Sequence, residues 1–400
     1  MNKPDVIIVG AGLTGATIAR ILHQNIEHIK IRVIEHKHHL GGLCFDEVDT
    51  FDDTKILVHK FGPHIFHTKD KVIWKFVNKI VGFRSYEYYV TARVHGNNIP
   101  LPFNLKTIET LFGGTYGKKI SLILVKLFGF GSIIKLTDLN KGFEIKGITA
   151  EENVLLKNVY PFLYKTLIEG YNKKQWGNAY DSYGLQTVER LPFRINYDCR
   201  YFDDTYCGIP STSYSEMIGE LFCRDRIEYC SDPKFVKFIH NQIYIDGEKF
   251  KGIVVYTGRI DYLLKQNHLI QPKIILPGIT TKFIMTTKNV ESFQDTAQVN
   301  YPLNFDYTRI IEHKKITGRI SPKTIISHEY PEQINSSDSD LMYPIRTNEN
   351  IAKYNNMVDI LSNYKNLYLC GRQATYSYIN MDTTIKQAME TADKILERIS

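Results

Sequence analysis

Three glycines at positions 10, 12 and 15, in the run GAGLTG, follow directly on the short apolar stretch Val6 to Val9. Glycine at such places lets a chain turn tightly after a strand and brings backbone amides close to a ligand. The helical pattern ATIARIL comes next, so those amides stand at a helix start, where they can face a pyrophosphate. A second apolar stretch, Ile31 to Ile34, ends at Glu35, whose carboxylate is placed to accept hydrogen bonds from ribose hydroxyls. The order of strand, GxGxxG, helix, strand and glutamate predicts a dinucleotide site. On these residues alone NAD remains as possible as FAD.

A second set of residues has the chemistry to hold a diphosphate. The segments RLPFRINYDCRYF at 190–202, DYTRIIEH at 306–313 and MYPIR at 342–346 each associate arginine with tyrosine. Arginine presents a two-pronged donor to a phosphate, and tyrosine adds one hydroxyl. Three such segments in one nucleotide-binding chain predict an anionic substrate. YNKKQWG at 171–177 adds Tyr171, Lys173, Lys174 and Trp176, and KFGPHIFHT sets His64 and His67 in a compact aromatic segment.

Other chemistries find no constellation. Six cysteines stand at 44, 199, 207, 223, 230 and 370, without a CxxC pair, zinc spacing or small-scaffold pattern. No metal site is expected, and no GxSxG elbow offers a serine nucleophile. The net charge of +7 comes with dispersed lysines, which suits anionic small molecules better than a nucleic-acid groove. No apolar run approaches the roughly twenty residues of a membrane span. The opening MNKPDVIIVG has no signal-peptide pattern, so a reducing cytoplasmic location is the expectation.

These residues need a scaffold made of several chain segments. VVYTG at 254–258 suits a strand returning to the first sheet, as does Asn366 to Cys370. Thr383 or Thr384 could cap a final amphipathic helix. Residues 104–185 hold helix-compatible stretches, among them Asn158–Glu169, while Ile120 to Ile134 reads as a buried helix or a loop against a ligand. Strand candidates follow at Phe235–Ile239, Ile243–Ile245, Ile253–Val255, Phe283–Thr286 and Tyr307–Ile311. The fold expected is α/β: a Rossmann-like FAD-binding domain with an inserted helical domain and an antiparallel-sheet substrate domain. Approximate bounds are 1–90, 205–265 and 345–400 for the first, 100–188 for the helices, and 189–204 with 266–344 for the sheet.

Gly41 and Gly42 in HHLGG lie just beyond the acidic strand end, as a glycine pair does in FAD enzymes of the glutathione-reductase type. GAGLTG, HLGG, FGPHIFHT, NKKQWG, RLPFRINYD, DYTRIIEH, YPIR and GRQATYSYINMD occur in an order that resembles the UDP-galactopyranose mutase family over nearly the whole chain. The resemblance implies FAD in its reduced form, a nucleotide-diphosphate sugar, a cellular flavin reductant and a homodimer. The implied reaction interconverts pyranose and furanose rings without net redox change, with the flavin N5 attacking the anomeric carbon to form a sugar–flavin adduct.

Carried over by motif, Arg190 closes over the diphosphate from a mobile loop, Trp176 lines the cleft, and Tyr171 contacts the base. Tyr201, Tyr307 and Tyr343 make further phosphate contacts, while His64 and His67 lie near the flavin. His67 joins Arg190 and Trp176 as a candidate catalytic residue. Gly371, Arg372, Met381 and Asp382 complete the flavin's surroundings, beside Gly10, Gly12, Gly15, Glu35, Gly41 and Gly42.

The chain departs from the family at three places. Leu167-Ile168 stand where a stacking aromatic pair is common. A GRLxYR-type stretch is lacking after Gly258, leaving Arg259 and nearby lysines, with Lys273 as the candidate substitute. Ser377 occupies a common arginine position. UDP-galactose is the default substrate, a dTDP-linked deoxysugar such as dTDP-fucose the closest rival, and an FAD-dependent oxidoreductase or a non-catalytic FAD-binding protein the rival classes.

Overall fold

The computed structural model describes residues 4–49, 55–140, 148–189, 191–222, 227–229 and 236–399. Among them, a five-stranded parallel sheet runs in the order Ile227–Tyr229, Ile31–Glu35, Val6–Val9, Ile253–Tyr256 and Leu367–Leu369. Parallel strands covered on both faces read as unbroken apolar runs. Val6, Ile7, Ile8, Val254 and Val255 accordingly have no exposed surface. The returning segments join as their sequences predict, with Val6 opposite Ile253 and Val254 opposite Leu367.

The helices Leu13–Asn25, Tyr214–Phe222 and Met381–Ile399 bury one face of this sheet. The helices Ile260–Gln266 and Asn348–Leu361 cover the other, with a small sheet of Val236–Ile239, Gln242–Ile245 and Glu248–Phe250. The final helix starts at Met381, so Thr383 and Thr384 fall inside its first turn instead of capping it. The Thr384 hydroxyl donates to the Asn380 carbonyl at 2.9 Å.

An inserted helical region, including Leu105–Phe112, Gly114–Phe128 and Ala150–Lys157, has a core of its own. The 120–134 stretch resolves into the end of a helix, with Ile120, Ile123 and Leu124 buried, followed by a strand at Ile133–Lys135. The expected 158–169 helix is drawn into three parts: Val159–Leu163, a π-helical turn at Tyr164–Ile168, and Glu169–Trp176. Such wide turns recur at functional sites. No helix among the described residues is long and apolar enough to cross a membrane.

A seven-stranded sheet among the described residues runs Tyr343–Pro344, Gly278–Lys288, Thr324–Gln333, Arg309–Glu312, Gln298–Asn300, Val90–Val94 and Asn97–Leu101. It is antiparallel except where Gln298–Asn300 pairs with Val90–Val94. Arg309 sits directly opposite Glu329 in this register, and Ile279 opposite Tyr343. These strands bring two of the three Tyr/Arg segments, 306–313 and 342–346, to one sheet, while Pro192–Arg194 of the third pairs with Ile133–Lys135 in a sheet of its own.

Candidate active site

A cavity opens beyond the carboxyl ends of the parallel strands, the usual ligand position in such sheets. Gly10, Gly12, Glu35, Gly41 and Gly42 line it at one side. His64, Arg372 and Met381 line it as well. Gly10 has φ +112°, and a Cβ there would lie 2.0 Å from Thr257 Oγ1. Gly41 is also left-handed, at φ +110°, and its amide donates to the Ala11 carbonyl. Glu35 is buried at the strand end, with one oxygen accepting from the Ala11 amide at 2.6 Å and the other from the Lys37 amide at 2.8 Å. Each carboxylate oxygen retains a second lone pair for a ribose hydroxyl.

The residues present fit a dinucleotide. The nearest atoms to a Cβ built on Gly12 belong to the Gly41 and Gly42 backbone, at ordinary contact distances of 3.7–3.9 Å, so protein packing does not demand glycine there. The cavity Gly12 lines is the remaining reason for a missing side chain. The helix behind it starts at Leu13 without a side-chain cap, leaving its first amides as donors for a phosphate. Gly15 and Gly371 serve packing instead. A Cβ on Gly15 would be 2.3 Å from the Gly10 carbonyl oxygen, and one on Gly371 would be 2.4 Å from Thr14 Oγ1. Asp382 turns to its own helix start, accepting from the Thr383 amide at 2.6 Å.

His64 and His67 take different environments. The Gly62 carbonyl lies 2.9 Å from His64 Nδ1, which must carry the proton, leaving Nε2 as a neutral acceptor. Burial pushes the His64 pKa down to about 3. Its amide donates to His59 Nδ1 at 3.0 Å, and the His59 amide donates in turn to His313 Nδ1 at 3.3 Å. Burial also lowers His59 to about 4 and His313 well below the ordinary range. His67, which does not line the cavity, pairs with Asp204 at 2.6 Å and stacks on Phe202 with ring centres 3.6 Å apart.

These depressed pKa values fix a sign for acid stability. The unfolded histidines titrate near pH 6.5 and the folded ones near 4 or lower, so the unfolded chain binds more protons between those values. Stability present at neutral pH is therefore lost as pH falls through that window. Replacing His59 by Asn should shrink the loss between pH 7.5 and pH 5 by roughly 2 kcal/mol. Denaturant unfolding at the two pH values measures it, and an equal loss in both proteins would refute the assignment.

The Tyr/Arg segments converge on Arg309. Its Nε donates to Glu329 Oε2 at 2.5 Å and its Nη2 to the Tyr343 hydroxyl at 3.2 Å. Tyr88, Tyr171, Tyr201 and Tyr343 all lie within electrostatic reach of its guanidinium. Burial raises the Tyr88, Tyr171 and Tyr201 phenols above their ordinary range, so these hydroxyls remain donors at neutral pH. Tyr201 keeps 38% of its surface exposed. The cluster adjoins the cavity: Arg372 lies 5.1 Å over the Tyr378 ring, and Tyr378 is 5.4 Å from Tyr343. Gly62, two residues before His64, sits against Arg309 Nη2 and Glu329 Oε1.

Two expected substrate residues, Tyr307 and Trp176, have other partners, and a third lies outside the described residues. Tyr307 packs with Tyr301, Phe305 and His328, and His328 alternates with Glu329 along its strand. Tyr307 thus lies on the sheet face away from Arg309. Trp176 is 8% exposed and its indole N–H donates to Asn172 at 3.2 Å, while its ring meets Tyr343 at 6.4 Å. Arg190 lies outside the described residues, as do Cys223, Cys230 and Phe235.

The departing positions also resolve. Leu167 and Ile168 are buried in the helical core. Lys273 is exposed, whereas Arg259 is buried against Asp261 and lines the cavity. Ser377 accepts a hydrogen bond from Arg346 at 3.2 Å, which returns a guanidinium to that position.

A family model described as UDP-galactopyranose mutase matches residues 166–378, and one described as an NAD(P)-binding Rossmann-like domain matches residues 8–80. A dTDP-fucopyranose mutase of Escherichia coli is 32% identical over 395 residues, covering 98% of each chain. A protein of Klebsiella pneumoniae named "Probable UDP-galactopyranose mutase" is 30% identical over 404 residues, covering 100% of this chain and 97% of its own. A crystal structure of reduced UDP-galactopyranose mutase aligns with a TM-score of 0.64 at 12% identity, covering 99% of this chain and 96% of that one, a likeness of fold.

Proposed function

The chain belongs to the UDP-galactopyranose mutase family and is a flavin-dependent pyranose/furanose-type mutase, and from that premise we propose that it acts on a nucleotide-diphosphate hexose with reduced FAD, UDP-galactose being the default substrate. The observation that carries this reading is the half-buried Arg309, bonded to the Tyr343 hydroxyl and with Tyr88, Tyr171 and Tyr201 in electrostatic reach, set beside the dinucleotide cavity. Gly10, Gly12, Gly41, Gly42, Glu35, Arg372 and Met381 would hold the cofactor. When bound, reduced FAD supplies a nucleophilic N5 toward the anomeric carbon of the sugar.

The protein's own task is to manage the diphosphate. Arg309 offers the positive charge that a departing diphosphate needs, and Glu329 holds its fork in one orientation. The Tyr343 hydroxyl bonded to it and the nearby phenols of Tyr171 and Tyr201 add hydroxyl groups for the same anion. Retention of the diphosphate in this cluster keeps it available for return once the sugar ring has changed size. Neutral His64, fixed as the Nδ1–H tautomer, offers an acceptor at Nε2 and adds no charge beside the cofactor. His67 and Trp176 would support the cleft from behind through Phe202 and Tyr343.

Arg190 is proposed to cap the diphosphate from the segment joining the helices to the sheet. Its replacement by Ala is expected to lower turnover about 100-fold, the scale of one lost charge-stabilising donor, with FAD content retained. Wild-type turnover in that variant would remove Arg190 from the site. The reading extends to a cellular flavin reductant, a homodimer and a cytoplasmic location.

Chromatographic product analysis of dithionite-reduced enzyme with UDP-galactopyranose and dTDP-fucopyranose tests the function. Formation of a furanose product without consumption of an electron acceptor is expected. Net oxidation of the sugar would overturn the mutase reading for this chain. The buried Leu167-Ile168 pair, which offers no ring to a base, favours dTDP-fucose as the second substrate reading. Exclusive turnover of the dTDP sugar would establish it over the default.

A further inference from the structure

We propose that the segment Ser336–Asp340 closes the adenosine end of the cofactor cavity, with Ser337 Oγ hydrogen-bonded to the adenosine half of bound FAD; this rests on the FAD reading above. Ser337 is 2% exposed and lines the cavity, yet its hydroxyl finds no hydrogen-bond partner among the described residues. A buried hydroxyl left unpaired is unfavourable, and in native structures such a group usually answers to a bound partner.

The segment is tied to the cavity from two directions. Arg259, clamped by Asp261 through bonds of 3.0 and 2.5 Å, donates to the Ser339 carbonyl at 3.3 Å. Lys37 bonds both oxygens of Asp340, at 2.7 and 2.6 Å. Lys37 follows Glu35 by two residues, and a glutamate at that strand end marks the adenosine ribose. Ser337 is therefore held where the adenosine half would lie, on the segment that follows Thr324–Gln333, the strand that carries Glu329.

The test uses apoprotein prepared from the full chain, titrated with FAD by quenching of flavin fluorescence. Ser337→Ala is expected to raise the FAD Kd about tenfold, the scale of one lost hydrogen bond. Ser337→Thr, which keeps the hydroxyl, should stay close to wild type. The apoprotein of Ser337→Ala should melt no lower than wild type, because its missing hydroxyl had no protein partner. ADP as a competitor of FAD uptake should weaken by the same factor. An unchanged FAD Kd, an unchanged ADP competition or a lowered apoprotein melting temperature would each overturn the proposal. Failure of the wild-type chain to take up FAD would instead strike the cofactor reading, and the wild-type titration separates the two.

Discussion

Replacement of Arg309 by Ala is expected to lower mutase turnover by about 100- to 1000-fold while leaving the cofactor cavity able to bind FAD. Arg309 does not line that cavity, so the FAD Kd should remain within a few-fold of wild type. The same substitution should destabilise the protein by roughly 3–5 kcal/mol, because Glu329 is 1% exposed and loses its charged partner. Burial already raises the Glu329 pKa, and without Arg309 its carboxyl would take up a proton more readily still. Adding Glu329→Gln to Arg309→Ala removes the stranded charge and should recover part of the stability with none of the turnover. Arg309→Lys preserves charge but cannot reproduce the fork that meets Glu329 and Tyr343 together, so its turnover should fall between the two. Denaturant unfolding and product formation by reduced enzyme measure the two effects separately. Wild-type turnover in Arg309→Ala would remove the cluster from the reaction.

Arg309 also shows what kind of information a one-dimensional reading misses. DYTRIIEH marks the segment, and the association of tyrosine with arginine correctly suggests anion chemistry there. Tyr307 is the residue that the motif resemblance selects. Irregular backbone between Tyr301 and Arg309 turns the Tyr307 ring toward His328, while Arg309 faces Glu329. Strand alternation decides which side chains meet, and the register with Thr324–Gln333 is a tertiary fact with no local signature.

The parallel sheet is more legible because its cause is local. Unbroken runs such as VIIV and VVY, each ending in glycine or a turn, can be satisfied only inside a sheet covered on both faces. Cavity contributions from distant loops carry no such pattern. Ser337 and Arg259 reach the same space, the one from a segment with no motif of its own and the other from the stretch after Gly258 that departs from the family. The pairs that hold the Ser337 segment in place, Ser339 with Arg259 and Asp340 with Lys37, are 80 and 303 residues apart.

The glycine motif divides under the same scrutiny, and the division can be measured. Gly12→Ala is expected to leave the apoprotein's melting temperature near wild type but to weaken FAD about 100-fold, or roughly 2.7 kcal/mol. Gly12 has φ −90°, a conformation open to any L residue, and an added Cβ makes only ordinary contacts with the protein. Its methyl would instead take space at the start of the helix whose amides face the cofactor. Gly15→Ala should do the reverse in order of cause. Its Cβ would fall 2.3 Å from the Gly10 carbonyl oxygen and 2.9 Å from Ile8 Cγ2, so the helix must back away from the sheet before any ligand is considered. The expected result is a less stable apoprotein, with weakened FAD binding as a consequence of the displaced helix start. Melting of the two apoproteins and FAD titration of each distinguish these cases. Equal apoprotein destabilisation by both substitutions would mean that Gly12 is a packing residue, and would remove the observation that most directly fits a phosphate to this turn.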